Sequence, residues 1–88
     1  MNNTELYRLA LSTYGADTQT LMMMEEMAEL QKELCKHSRG KNNKTGIAEE
    51  IADVQIMLDQ MMLLHDCEGM VKYFKQKKLE RLKDRVNE

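Results

Sequence analysis

The chain contains no proline and no tryptophan, and only four of its 88 residues are glycine. The missing proline removes the strongest helix breaker, and β-branched residues are few beside abundant Met, Leu, Glu, Lys and Gln. That composition favours helix and argues against a turn-rich β fold. Two cysteines, Cys35 and Cys67, are too few for a disulfide framework, so a reducing cytoplasm is the expected compartment. No run approaches the roughly 18 apolar residues of a membrane span, and the first residues lack the basic and apolar parts of a secretory signal. Charge of one sign is also lacking. The net charge of −2 speaks against nucleic-acid binding through a broad basic face.

A chain of 88 residues is expected to form one domain over 1–88. Hydrophobic spacing predicts four helices. The first runs from about Thr4 to Tyr14, capped by Asn3 or Thr4 and stopped by Gly15. The second runs from near Asp17 to about His37, where Lys36, His37 and Arg39 suit the negative helix end and Gly40 stops it. A basic loop, Lys41 to Lys44, leads to a third helix capped by Thr45 and ending near His65. Asp66 is the expected cap of a fourth, from about Cys67 to Val86. Short loops favour antiparallel neighbours. The expected fold is therefore all-α, a small antiparallel four-helix bundle around a long central hairpin, completed by oligomerisation.

The residues present in excess are carboxylates. Glu25, Glu26 and Glu29 form E-E-x-x-E, and Glu49, Glu50 and Asp53 form E-E-x-x-D. At 100° per residue, Ile47, Ile51, Val54, Leu58, Met61 and Met62 form one apolar arc on helix three, and Glu50 lies about 60° from its centre. On helix two the apolar arc is Leu21, Met24, Met27, Ala28, Leu34 and Cys35. Glu25, Glu26, Glu29 and Glu33 fill a flank of roughly 100°. Such acidic runs are commonly solvated faces. Glu50 resists that reading, because an unpaired carboxylate in an apolar stripe is costly. A buried ion pair is one remedy. A divalent cation is another, since Glu26/Glu29 and Glu50/Asp53 at i, i+3 each put two carboxylates on one helix side.

Helix three also carries Ile56 and Leu63 opposite its main stripe, while Met57 and Leu64 widen it. A helix apolar nearly all round is buried nearly all round, which predicts a second subunit. The run Met22-Met23-Met24 suits the same interface, although an ordinary Met-rich core has an equal claim on each of them.

Glu25-Glu26-Met27-Ala28-Glu29, followed by Glu50-Ile51-Ala52-Asp53, resembles the E-E-x-x-E … E-x-x-D signature of the MazG-like all-α nucleoside triphosphate pyrophosphohydrolases. The resemblance spans helices two to four. It implies a Mg²⁺-dependent hydrolase, with Mn²⁺ as a substitute, that cleaves the α–β phosphoanhydride to a monophosphate and pyrophosphate. It implies Glu26, Glu29, Glu50 and Asp53 as metal ligands and Glu25 as a further ligand or a base. Lys78 and Arg81, in Lys78-Leu79-Glu80-Arg81, resemble the family's phosphate-binding pair on the last helix, although Gln76 stands where an Asn is common. Arg39 and Lys41 are weaker phosphate candidates. Tyr7, Tyr14, Tyr73 and Phe74 are the rings left to stack on a base. The family also implies a homodimer or homotetramer with sites near subunit interfaces.

Other chemistries fare worse. Cys35-x-His37 and His65-x-Cys67 offer four zinc ligands, but they lie at opposite ends of the hairpin, about 25–30 Å apart at the usual helical rise. The di-iron Glu-x-x-His pattern and a P-loop are both absent. A helical nucleotide-binding or protein-interaction module without catalysis remains the alternative.

Overall fold

The computed structural model describes residues Met1–Glu88. It is built from four helices and no strand: α1 (Asn3–Tyr14), α2 (Ala16–Ser38), α3 (Lys44–Leu64) and α4 (Glu68–Val86). No helix is long and apolar enough to cross a membrane. The all-α, four-helix architecture expected from composition is the one the chain adopts. Helix ends differ from expectation by one or two residues, for local reasons. Asn2 caps α1, its Oδ1 accepting from the Glu5 backbone N–H at 2.8 Å. Gly15 joins α1 to α2 at φ 92°, a conformation that would strain a side chain. Asp66, expected as a cap, instead takes the left-handed turn at φ 49°, which Asp tolerates, and Cys67 holds the N-cap position of α4.

The central hairpin is α2 against α3. It is antiparallel, since Gln19 meets Gln60 near one end and Glu33 meets Asn43 near the other. Its seam follows alternating spacings of four and three. On α2 the covered positions include Gln19, Met23, Glu26, Leu30 and Glu33. On α3 they include Ile47, Glu50, Val54, Met57, Met61 and Leu64, preceded by Asn43 at the N-cap, with Gln60 buried beside them. This is the heptad pattern of paired helices, with polar residues at several seam positions. The seam is rotated from both predicted apolar arcs, by about 60° on α3 at 100° per residue. Glu50 consequently stands at its centre.

The rotation leaves apolar residues outside. Leu21, Met24, Met27 and Leu34 of the predicted α2 arc are exposed, as are Ile51, Ile56 and Leu58 on α3. Only Met23 and Met57 are buried apolar residues, at 5% and 6% exposure. Beside them lie buried Gln19 and Gln60, joined by a 2.7 Å amide hydrogen bond. Such a pair contributes little net stability but penalises register slips, because a slipped helix leaves both amides unpaired.

α1 lies across both hairpin helices, whereas the α4 backbone approaches only α3. Every residue of α4 is exposed. The radius of gyration is 15.9 Å, against about 12 Å for a compact chain of this length.

Candidate metal centre

The carboxylates converge because of the seam. Antiparallel pairing sets Glu26 of α2 opposite Glu50 of α3, and one α-helical turn brings Asp53 to the same edge. One oxygen from each of Glu26, Glu50 and Asp53 lies within 4.8 Å of the others. Glu26 and Glu50 are half-buried and Asp53 is exposed. One Glu50 oxygen, Oε2, is buried and has no hydrogen-bond partner.

This geometry raises the pKa of two carboxyls above the ordinary 4.5. For Glu26 the first cause is burial, followed by the charges of Asp53 and Glu50 and by the hydrogen bonds that protonated Glu26 makes to them. For Glu50 the cause is again burial, followed by the charges of Asp53, Glu29 and Glu33. No Lys or Arg forms an ion pair with either; the one such pair is Lys36 with Glu33. A buried ion pair, the structural remedy open from sequence, is thus not formed at Glu50.

The other site candidates are distributed around this cluster. Glu29 is exposed and close enough to Glu50 to repel it, but it lies outside the group of three. Glu25 is exposed and also outside the group. Arg39 follows the C-terminus of α2 at the hairpin tip. Lys78 and Arg81 lie on the solvent-exposed α4. Of the rings, Tyr7 is half-buried with its hydroxyl 3.5 Å from Asp59 Oδ2, and Tyr14, Tyr73 and Phe74 are exposed. Cys35 and Cys67 are free thiols on different helix ends.

Glu33 was grouped with the acidic flank from sequence, yet it belongs to the seam. Asn43 donates from Nδ2 to the Glu33 carboxylate at 2.6 Å and to the Glu33 carbonyl at 2.9 Å. Lys36 adds a contact at 3.3 Å. These partners, Asn43 first, hold the Glu33 pKa below its ordinary value. A Cβ on Gly46 would stand 3.0 Å from Glu33 Oε2, so glycine makes room for the clamp. The clamp fastens the hairpin tip about four turns of α2 from the Gln19–Gln60 pair at the other end. The heptad spacing of 19, 23, 26, 30 and 33 was the signal that marks Glu33; hydrophobic scoring conceals it because three of the five residues are polar.

The donor set fits a hard divalent cation. Three carboxylates from two helices supply oxygen ligands, the cluster carries uncompensated negative charge, and the lone Glu50 Oε2 lacks a partner that a cation would provide.

The shifts have a definite consequence for stability. A carboxyl whose folded pKa is raised stabilises the fold fully below its unfolded value and loses that contribution as pH rises through the folded value. In chelator, melting temperature should therefore fall as pH is raised from 5 to 8, as Glu26 and Glu50 ionise. Glu33 acts oppositely, supporting the fold above 4.5 and losing that support as pH falls below it. Saturating Mg²⁺ should flatten the decline above pH 5. A chelator melting curve that rises steadily between pH 5 and 8 would contradict the crowding of these carboxylates.

No protein-family model matches the chain, and no curated protein or solved structure matches it.

Proposed function

We propose that the protein is a Mg²⁺-dependent nucleoside triphosphate pyrophosphohydrolase of the MazG-like type. The observation that carries this reading is the convergence of Glu26, Glu50 and Asp53 on one edge of the hairpin, with a buried, unpartnered Glu50 oxygen among them. The E-E-x-x-E … E-x-x-D pattern adds the reaction class: a monophosphate and pyrophosphate from cleavage at the α–β bond.

In this reading Glu26, Glu50 and Asp53 hold the cation, and Glu29 completes the set from the next turn of α2. When bound, the cation screens triphosphate charge and makes water a better nucleophile near neutral pH. The resemblance assigns Glu25, exposed and one turn from Glu29, the part of a further ligand or of a base that orients the water. Lys78 and Arg81 supply cations for the phosphate oxygens, with Arg39 at the hairpin tip as a further donor. Arg in particular offers a planar fork of donors that matches phosphate oxygens.

The test is incubation with Mg²⁺ and a panel of ribo- and deoxyribonucleoside triphosphates, with product analysis. Monophosphate and pyrophosphate are expected in equal amounts. Diphosphate with orthophosphate would move the attack to the wrong bond and refute the assignment.

A second reading is a helical interaction module without catalysis. It is favoured by the exposed apolar face of α4, formed by Val71, Phe74, Leu79 and Leu82. Such a module would release no product from any nucleotide and its stability would be indifferent to Mg²⁺.

A further inference from the structure

Asn43 stands at the N-cap of α3, where an Asn side chain ordinarily accepts from the free backbone N–H groups of the first turn. Here it makes no cap bond. Its Nδ2 instead reaches across to α2, donating to the Glu33 carboxylate at 2.6 Å and to the Glu33 carbonyl at 2.9 Å. Its Oδ1 is left buried and unpartnered. A missing cap and an unpaired buried oxygen both cost stability. Glycine, a poor helix former, also occupies position 46 in the first turn of α3, where a Cβ would stand 3.0 Å from Glu33 Oε2. Three local rules are thus broken for one contact across the hairpin. Such breaks, with no local gain, mark a functional constraint.

The place of the contact shows what is constrained. Glu33 lies seven residues after Glu26, and Asn43 lies seven before Glu50. On both helices the clamp is therefore one heptad, roughly 10 Å, from the facing carboxylates. Gln19 lies seven residues before Glu26, and its bond to Gln60 closes the other side. Between clamp and centre the seam is carried by Leu30 and Ile47, both half-buried. Apolar contact is non-directional and permits small slides, whereas hydrogen bonds weaken steeply when misaligned. Like charges at Glu26, Glu50 and Asp53 push the helices apart at the point where a cation would need them close. The two buried side-chain polar atoms without a partner, Asn43 Oδ1 and Glu50 Oε2, stand one heptad apart on α3.

We propose that Asn43 and Glu33 are positioning residues for the cation centre. Their clamp holds α2 and α3 in the register and at the separation at which Glu26, Glu50 and Asp53 chelate one ion. Neither side chain touches the ion: Asn43 acts through Glu33, and Glu33 acts through α2. The inference rests on the cation-binding part of the function proposed above, and not on which bond is cleaved.

Mn²⁺ uptake by the full-length chain tests it, followed by electron paramagnetic resonance at a temperature where circular dichroism shows each variant folded. Asn43→Ala removes no charge, so its effect on affinity is positional. It should weaken binding by about tenfold or more, the usual effect of losing a group that orients a metal's ligands. Glu33→Gln keeps an oxygen for Asn43 but removes a charge one heptad away. It should weaken binding by less than about threefold. Asn43→Ala combined with Glu33→Ala should bind no worse than Glu33→Ala alone, because the two residues act as one unit. Gly46→Ala guards against a variant that fails to fold: it favours helix but crowds Glu33 Oε2, and it should weaken binding in a folded protein. Wild-type affinity in both Asn43→Ala and Gly46→Ala would overturn the proposal. So would a loss confined to Glu33→Gln, which would assign the effect to charge. A parallel pyrophosphate assay separates the two readings. Asn43-dependent uptake in a protein that cleaves no triphosphate removes the pyrophosphohydrolase reading alone. Cleavage beside uptake indifferent to Asn43 removes the positioning role alone, and a wild-type chain that takes up no Mn²⁺ removes both.

Discussion

Glu50→Gln should reduce the proposed triphosphate cleavage by at least about a hundredfold, the usual effect of removing a preorganised electrostatic group from a reaction centre. The loss should come without unfolding. Glutamine keeps the size of the side chain, and the wild-type carboxylate is under repulsion from Asp53, Glu29 and Glu33. In chelator at neutral pH the variant should therefore melt no lower than wild type, and its pH dependence between 5 and 8 should be weaker. The metal response should be the reverse. Wild-type protein at a hundredfold excess of Mg²⁺ over Kd should gain about 10 °C or more in Tm. Glu50→Gln should lose most of that gain, because the oxygen at the centre of the seam no longer carries charge. Calorimetry with and without Mg²⁺, beside a pyrophosphate assay, measures both. A variant that keeps the full Mg²⁺ shift would remove Glu50 from the proposed metal centre, whatever its activity.

Met57→Ala should be among the most damaging single truncations in the chain. Met57 is 6% exposed and Met23 5%, and no other apolar residue is buried. Truncating a buried Met to Ala typically costs about 2–5 kcal/mol. For a domain of this size that lowers Tm by at least about 8 °C. Val86→Ala, at a position 74% exposed, is the matched control and should change stability by less than about 0.5 kcal/mol. Thermal or urea unfolding of the two variants decides the matter. Similar losses from both would mean that Met57 does not anchor the seam.

The acidic centre was legible in sequence to different degrees at different residues. Glu50 and Asp53 stand three apart on one strongly helical stretch, so their shared side follows from 3.6 residues per turn. Glu26 depends on which residue faces it across the hairpin. Antiparallel pairing through the Gln19–Gln60 and Glu33–Asn43 contacts places it opposite Glu50, while Glu25, its neighbour in the chain, turns about 100° away. The apolar arc of α2 was the least reliable guide. It scores Leu21, Met24, Met27 and Leu34 as core, yet the helix turns Met23, Glu26 and Leu30 to its partner. Apolarity alone points to the widest apolar face. The tightest seam here is partly polar and follows heptad spacing instead.

The sequence by itself determined that this chain is helical, how many helices it forms and nearly where each ends. Those properties follow from local propensity, glycine stops and the absence of proline, which act within a few residues. It also determined that carboxylates crowd two neighbouring helices. Only the tertiary structure decided which of them meet, that Glu33 serves as a clamp beside them, and that α4 with Lys78 and Arg81 stands away from its own hairpin. Those outcomes depend on seam rotation and register. Both are set by long-range contacts between side chains, and a rotation of about 60° is enough to exchange a solvated carboxylate for one at the centre of a helical seam.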